Sequence, residues 1–316
     1  MRYLKELKEG DRVADIYLIK HRSNAVTKNG KSYWNVELQD RTGTLDAKVW
    51  DPNSAGIEEF DDKDYVEIIG DVSSFNGALQ ISVKRARVAR EGEYEPSDFL
   101  PVSGRNIDEM YNELLKMISQ TSNKYLKQLL EEFFVKDEAF VKAFKFSSAA
   151  KTVHHAFVGG LVEHTLSVAE NCEFFAKKYA RLNRDLLVTA AICHDIGKVR
   201  EISAFPENDY SDEGNLIGHI VMGSEMISEK IKEIDGFPVV LANELKHCIL
   251  SHHGELEYGS PKKPALMEAV ALSFADNLDA KMETFDELLD NSQEPNTWQG
   301  FNRLLESNVR GTIIEG

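Results

Sequence analysis

An apolar segment that ends in a histidine and an aspartate constrains this chain more than any other feature of its sequence. Residues 186–193 are apolar except for Thr189, and Asn183 just before them is a good helix N-cap residue. The pattern predicts a buried helix that carries His194 and Asp195 into the protein interior. Because an unpaired buried carboxylate is costly, this arrangement favours a bound metal ion.

Further histidines are concentrated in the same part of the chain. Eight of the nine histidines fall within 100 consecutive residues. His164 borders the apolar face of a predicted helix, and His252 and Asp276 each follow an apolar residue by four positions, which places them on inward helix faces. With His219, His194 and Asp195, six polar groups from five predicted helices therefore point to one core.

Two carboxylates and four imidazoles form a mixed oxygen and nitrogen ligand set. Such a set suits Mn²⁺, Fe²⁺ or Co²⁺ better than a thiolate-rich zinc site does. A single inward histidine is more often a hydrogen-bonded core residue than a ligand, so the prediction depends on the set as a whole. Cys193 adjoins the set and is interpreted as a core thiol, like Cys172 and Cys248. His253 is left open as a further ligand or a phosphate contact, and roles for His154, His155 and His247 are left open too.

Residues 1–90 predict a small β-barrel. Alternating apolar residues indicate five strands, over residues 13–20, 32–39, 44–50, 65–73 and 79–88. The last two strands meet at Asn76-Gly77, which is a strong turn signal. Five strands with a polar insertion after the third are typical of a Greek-key barrel of the OB type.

Aromatic and basic side chains are expected on the outside of that barrel. OB barrels bind single strands through aromatic platforms beside basic groups. Residues 1–90 hold 15 basic and 15 acidic residues, so this segment can accept a polyanion although the whole chain has a net charge of −16. An equally weighted alternative is that these side chains decorate a solvated sheet or pack on the other domain. The candidate RNA contacts are Tyr33, Lys48, Trp50, Phe75, Lys84 and Arg85, with Arg87 beside them.

The spaced histidines and aspartates resemble the HD-domain superfamily of metal-dependent phosphohydrolases. With an OB-type barrel in front, the whole chain is similar to the YhaM-type 3′-to-5′ exoribonucleases of Gram-positive bacteria. A cyclic-dinucleotide phosphodiesterase branch shares the stretch 252–255, but Gly259, Ser260 and Pro261 stand where that branch has Gly-Tyr-Pro. The residues that carry the resemblance are His164, His194, Asp195, Gly197, Lys198, His219, His252, His253 and Asp276.

The resemblance implies a dinuclear site and two catalytic residues, Asp195 and Lys198. A bound divalent ion lowers the pKa of its water and so supplies hydroxide for in-line attack on phosphorus. Lys198 would neutralise charge on the phosphoryl oxygens; the alternative is a helix C-terminal cation favoured by the helix dipole. The implied ligands are His164, His194, Asp195 and Asp276 for one metal, and His219, His252 and the open candidate His253 for a second, with Asp195 bridging.

The implied reaction is metal-dependent hydrolysis of single-stranded RNA from its 3′ end to nucleoside 5′-monophosphates. One or two ions per chain are expected, with Mn²⁺ preferred and Co²⁺ or Fe²⁺ as alternatives; single-stranded DNA and a homo-oligomer are left open. The runner-up is an HD phosphohydrolase of small nucleotides or cyclic dinucleotides, whose barrel serves assembly or regulation. A third class, an RNA-binding adaptor with a structural metal, is disfavoured because a structural site does not need so many inward ligands.

The chain is therefore expected to be a multidomain α+β protein, with an OB-type β-barrel followed by an all-α HD domain. Without an apolar run of about 18 residues or an apolar N-terminal segment, we expect no membrane span, no secretory signal and a cytoplasmic location. Pro264 is placed in the first turn of the last long helix. The predicted divisions are an OB domain at 1–90, a linker at 91–104, a helical connector at 105–150, an HD phosphohydrolase domain at 151–285 and a tail at 286–316.

Overall fold

The computed structural model describes residues 1–27, 29–75, 77–151, 155–290, 292 and 294–313. The chain forms two compact units, Met1–Val102 and Ser103–Gly316. The first unit is a closed barrel and the second is helical, which confirms the predicted fold class.

Five strands close the barrel in the order β1-β2-β3-β5-β4. Neighbouring strands are antiparallel except for β3 and β5, which are parallel. Alternate residues along each strand point inward, so the barrel core contains one apolar face of every strand. The strands are β1 (Arg12–Val26), β2 (Ser32–Asp40), β3 (Gly43–Val49), β4 (Tyr65–Phe75) and β5 (Ala78–Val88).

Strand β1 is six residues longer at its C-terminal end than the predicted 13–20 strand. It pairs with β4 as far as Leu18 and with β2 from Leu18 to Val26, with a register shift after Ile19. This irregularity interrupts the alternating pattern and explains why the sequence shows only the first part of the strand. Gly77 has a φ of +83°, in keeping with the predicted turn, whereas Asn76 lies outside the described residues.

Part of the predicted linker packs against the barrel. Tyr94 stacks on Tyr65 with ring centroids 3.9 Å apart, and the buried Phe99 meets Tyr65 edge-on at 5.1 Å. The backbone N–H of Arg41 donates to the Asp98 carbonyl at 2.9 Å. Residues 94–99 therefore contribute to the first unit.

The second unit contains ten α-helices among the residues that the structure describes. A π-helical turn, Glu132–Lys136, joins the second and third of them, and two short strands, β6 (Phe301–Asn302) and β7 (Ser307–Asn308), follow the last. The helices are α1 (Ile107–Ser119), α2 (Lys124–Glu131), α3 (Glu138–Phe146), α4 (Gly160–Lys178), α5 (Arg184–Cys193), α6 (Lys198–Glu201), α7 (Asp212–Ile217), α8 (His219–Lys232), α9 (Val239–Leu250) and α10 (Met267–Asp290).

Helix α5 lies at the centre of this unit. Every residue of α5 from Leu186 to Cys193 is buried, and α4, α9 and α10 pack around it. The Asn183 side chain accepts from the Leu186 N–H at 3.1 Å, so the predicted N-cap is confirmed. The three cysteines are buried free thiols, as predicted.

The placement of Pro264 in a helix is wrong. Helix α10 begins only at Met267. The Ala265 N–H, just after Pro264, donates to a side chain, His247 Nε2, at 2.8 Å. Within the described part of the chain, no helix combines the length and apolar character needed to cross a bilayer.

Candidate metal centre

His164, His194 and Asp276 converge where α4, α5 and α10 meet. Nε2 of His164 lies 3.1 Å from Nε2 of His194 and 3.2 Å from Oδ1 of Asp276. Oδ2 of Asp195 is 3.2 Å from His194 Nε2 and 3.4 Å from His164 Nε2. These four residues thus bring two nitrogen and two oxygen atoms around one point.

The other carboxylate oxygen of Asp195 faces a second group of imidazoles. Oδ1 of Asp195 lies 3.5 Å from His219 Nε2 and 3.6 Å from His252 Nε2. One ring nitrogen from each of His219, His252 and His253 lies within 4.8 Å of the others. Asp195 therefore stands between two ligand groups, with one oxygen toward each.

His252 reaches this position from outside a helix, in contrast to the prediction. Helix α9 ends at Leu250, and His252 lies in the turn that follows, where it is fully buried. Its Nδ1–H donates to the Ile249 carbonyl at 2.7 Å, so a local hydrogen bond replaces the helix as the support of the ring.

Three buried polar atoms in the centre lack a hydrogen-bond partner among the described residues: Asp195 Oδ1, His219 Nε2 and His252 Nε2. Buried polar atoms in native proteins are nearly always satisfied, so three that face each other indicate a ligand between them. Carboxylate oxygen with imidazole nitrogen suits a divalent transition metal. The residues present therefore fit a divalent metal site.

Backbone carbonyls orient three of the imidazoles. Nδ1 of His194 lies 2.7 Å from the Ala191 carbonyl, and Nδ1 of His253 lies 2.8 Å from the Tyr258 carbonyl, as for His252 with Ile249. A carbonyl oxygen can only accept, so each Nδ1 carries the hydrogen and each Nε2 keeps its lone pair. Those lone pairs are the atoms that a metal would bind.

Carboxylates orient the other two imidazoles, and neither carboxylate was predicted as part of the site. Oε1 of Glu201 lies 2.9 Å from His219 Nδ1, and Oδ2 of Asp279 lies 2.6 Å from His164 Nδ1. Asp279 also accepts from the Ser167 hydroxyl and lies 3.0 Å from His155 Nε2. The one sequence signal for Asp279 is its position three residues after Asp276 on the same helix.

Electrostatics keep the Asp195 carboxylate ionised. Burial raises the pKa of Asp195, but His194, Lys198 and His164 lower it more, so that the net pKa lies well below the usual value. Burial likewise opposes the charge of Lys198, yet Asp195, whose Oδ2 lies 2.6 Å from Nζ, raises the Lys198 pKa above its usual value. Burial lowers the pKa of His252 and His253, which favours the neutral, ligating form.

A glycine allows the two ligand groups to approach each other. A Cβ atom on Gly197 would lie 2.1 Å from the His219 carbonyl oxygen and 2.8 Å from the Gly223 backbone nitrogen. The turn after α5, which carries His194 and Asp195, therefore packs backbone to backbone against the start of α8, which carries His219.

The structure brings together two of the candidate RNA contacts on the barrel. The rings of Tyr33 and Trp50 lie 5.0 Å apart at 30°, and Trp50 is 42% exposed. Phe75, at the end of β4, is 64% exposed. Lys48 is largely covered and lies 3.7 Å from Asp46, Lys84 pairs with Asp71, and Arg85 is exposed beside Gly56.

Comparison with known proteins matches both units. Residues 161–281 match the HD domain family, and residues 17–89 match the OB-fold nucleic acid binding domain family. Three relatives bear the name 3′-5′ exoribonuclease YhaM. The relative from Geobacillus sp. (strain WCH70) is 35% identical, and the match covers 89% of this chain and 86% of the relative. The relatives from Bacillus velezensis and Bacillus subtilis are 36% and 35% identical, and each match covers 89% of this chain and 88% of the relative.

Proposed function

We propose that this chain removes nucleotides from the 3′ end of single-stranded RNA, because it belongs to the YhaM family of 3′-5′ exoribonucleases. The chain is a hydrolase of the HD type with an OB-fold unit. The proposed products are nucleoside 5′-monophosphates, since water rather than phosphate is the nucleophile. The proposed location is the cytoplasm, where free thiols such as the three buried cysteines persist.

The observation that carries the proposal is the position of Asp195, with one oxygen toward each of two imidazole groups. We assign a first divalent ion to His164, His194, Asp195 and Asp276, and a second to His219, His252 and His253, with Asp195 between them. Mn²⁺ is the proposed metal, and Co²⁺ or Fe²⁺ would suit the same ligands. Such ions activate water and offset charge that develops on the phosphoryl group.

Differences in exposure among the site residues support one side for the entry of the phosphate. The side chains of His194 and His252 are fully covered, whereas those of His219, Lys198 and Asp276 are 12%, 14% and 15% exposed. The scissile phosphate would therefore approach past the latter three. Lys198 stands at this opening with its cation beside Asp195, and it would donate to a phosphoryl oxygen.

The barrel is assigned to RNA binding. Tyr33, Trp50 and Phe75 offer aromatic faces for base stacking, and Lys84 and Arg85 offer charges to the backbone. Lys48 contributes less because most of its side chain is covered. Stacking does not read the 2′-hydroxyl, so single-stranded DNA is a proposed second substrate.

Digestion of a 5′-labelled single-stranded RNA with Mn²⁺ tests the reaction. We expect a ladder that shortens gradually, nucleoside 5′-monophosphates as products, slower digestion of RNA with a 3′-phosphate, and no cleavage of circular RNA. Immediate release of a labelled mononucleotide, or cuts in the circle, would refute the proposed polarity. Rapid hydrolysis of cyclic dinucleotides or free nucleotides, with no action on RNA, would favour a small-nucleotide phosphohydrolase instead.

A further inference from the structure

Helix α10 has two chemically different faces. Asp276 and Asp279 point into the metal centre from one face. On the outer face, Val270, Phe274, Leu278 and Met282 are 42%, 67%, 45% and 55% exposed. Their spacing of four residues makes them a continuous apolar ridge along the helix, which we call the α10 ridge.

An apolar groove runs beside the α10 ridge. It has a volume of about 630 Å³, and all ten residues that line it are apolar or aromatic. Phe175, Tyr179 and Leu182 form one wall, and Leu266, Met267 and Ala271 form part of the other. Ridge and groove together present a projection and a recess on one surface, which is what a self-complementary contact requires.

The α10 part of this face carries no exposed acidic residue, although the chain has a net charge of −16. Between residues 264 and 282, every one of which the structure describes, the only exposed charged residue is Lys281. Two copies of so acidic a chain repel each other over most of their surfaces. The α10 ridge is a surface on which they can approach without that cost.

We propose that two copies of the chain associate through the α10 ridge, helix against helix across a two-fold axis. Ridges with a spacing of four residues pack into the equivalent grooves of a partner helix at a crossing angle of about −50°. The aromatic side chains Phe274 and Tyr179 are 67% and 50% exposed, so at about 200 Å² each they offer about 230 Å². The exposed parts of Val270, Leu278, Met282 and Met267 add to this area. The groove residues belong to the same surface, and a standard interface buries about 800 Å² per partner.

Sedimentation or light scattering at several concentrations tests this proposal. The wild-type chain should have the mass of a dimer, and Phe274→Glu should weaken association at least tenfold by placing a charge in the contact. Val240→Glu is the matched control, because Val240 on α9 is 69% exposed and Phe274 is 67% exposed. A monomeric wild type, or a dimer that Phe274→Glu leaves intact, would overturn the proposal; circular dichroism checks that each variant is folded.

Cysteine cross-linking tests the position of the contact. The native cysteines are buried, so an introduced surface thiol is the accessible one. Oxidation should link two chains of Phe274→Cys or Leu278→Cys, which lie in the middle of the ridge, and should leave Val240→Cys unlinked. A dimer in which neither ridge position cross-links would rule out the proposed arrangement.

Discussion

Nδ1 of His164 lies 2.6 Å from Oδ2 of Asp279, while Nε2 of the same ring faces Asp195 and Asp276. One imidazole therefore connects a buried carboxylate to the metal centre. A carboxylate in this position fixes the ring and makes its other nitrogen a better ligand. Asp279 itself is held by Ser167 and His155, so the support of His164 extends across two helices.

Asp279→Asn should lower metal affinity by about 10- to 100-fold, the usual effect of removing such a partner. Titration calorimetry with Mn²⁺ on metal-free protein measures this. Ser167→Ala is the control, because it removes a hydrogen bond to Asp279 but leaves the contact with His164. An affinity that Asp279→Asn does not change would mean that the carboxylate has only a packing role.

Asp195→Asn should abolish RNA hydrolysis, since the anion between the two imidazole groups is lost, and should leave RNA binding largely intact. His194→Ala and Asp276→Ala should behave in the same way. Digestion assays and filter binding on the same samples separate the two effects. Asp286→Asn, an exposed change on α10, is expected to remain active. Near-normal turnover by the Asp195 variant with its full metal content would contradict the dinuclear assignment.

Trp50→Ala and Tyr33→Ala should each raise the KM for RNA, because the paired rings are proposed to stack on bases. At about 1–3 kcal/mol per stacked base, the expected increase is about 5- to 150-fold. Hydrolysis of a small phosphodiester by these two variants should not change. Trp298→Ala is the control, because it removes a ring of the second unit that is 67% exposed, and its kinetics on RNA should equal those of the wild type. Unchanged KM values in both barrel variants would move the RNA-binding surface elsewhere.

Chelation of metal should lower the thermal stability of the second unit. Metal at 100 times its Kd adds about 2.7 kcal/mol to the free energy of unfolding. At about 2–4 °C per kcal/mol for a domain of this size, the melting temperature should fall by about 5–10 °C when EDTA is added. Scanning calorimetry with and without EDTA measures the shift, and a His194→Ala variant, which lacks a ligand of one of the two proposed sites, should show a smaller shift. A wild-type melting temperature that EDTA does not move would argue against metal in the centre.

The sequence was most informative where a local pattern determines the structure. Asn183 before an apolar run predicted both the cap and the burial of α5, and four-residue spacing predicted the inward position of Asp276. The spacing of His252 from Ile249 suits a helix, but the same spacing occurs in a turn in which the His252 Nδ1–H donates to the Ile249 carbonyl. Periodicity alone cannot distinguish these two cases.

The supporting carboxylates could not be singled out in the same way. The chain has 53 acidic residues, and most acidic residues on helices face solvent. Glu201 therefore shows no distinctive pattern, and Asp279 shows only its three-residue spacing from Asp276. Their roles depend on which ring nitrogen lies within hydrogen-bond distance, and that follows from packing between helices that are distant in sequence. The sequence pattern does not predict the α10 ridge for a related reason, since an apolar position on a helix is more often part of the core.

The close backbone contact at Gly197 means that the metal centre cannot tolerate a side chain at this position. The gap between the residues after α5 and the start of α8 is fixed by backbone atoms, so no side-chain rearrangement can compensate for an added carbon. Even alanine would force the two ligand groups apart, and a displacement of about 1 Å can cost a hundredfold in rate. In a saturation screen, position 197 should accept glycine alone, whereas Gly104, with no atom within 4 Å of its potential Cβ, should accept most residues.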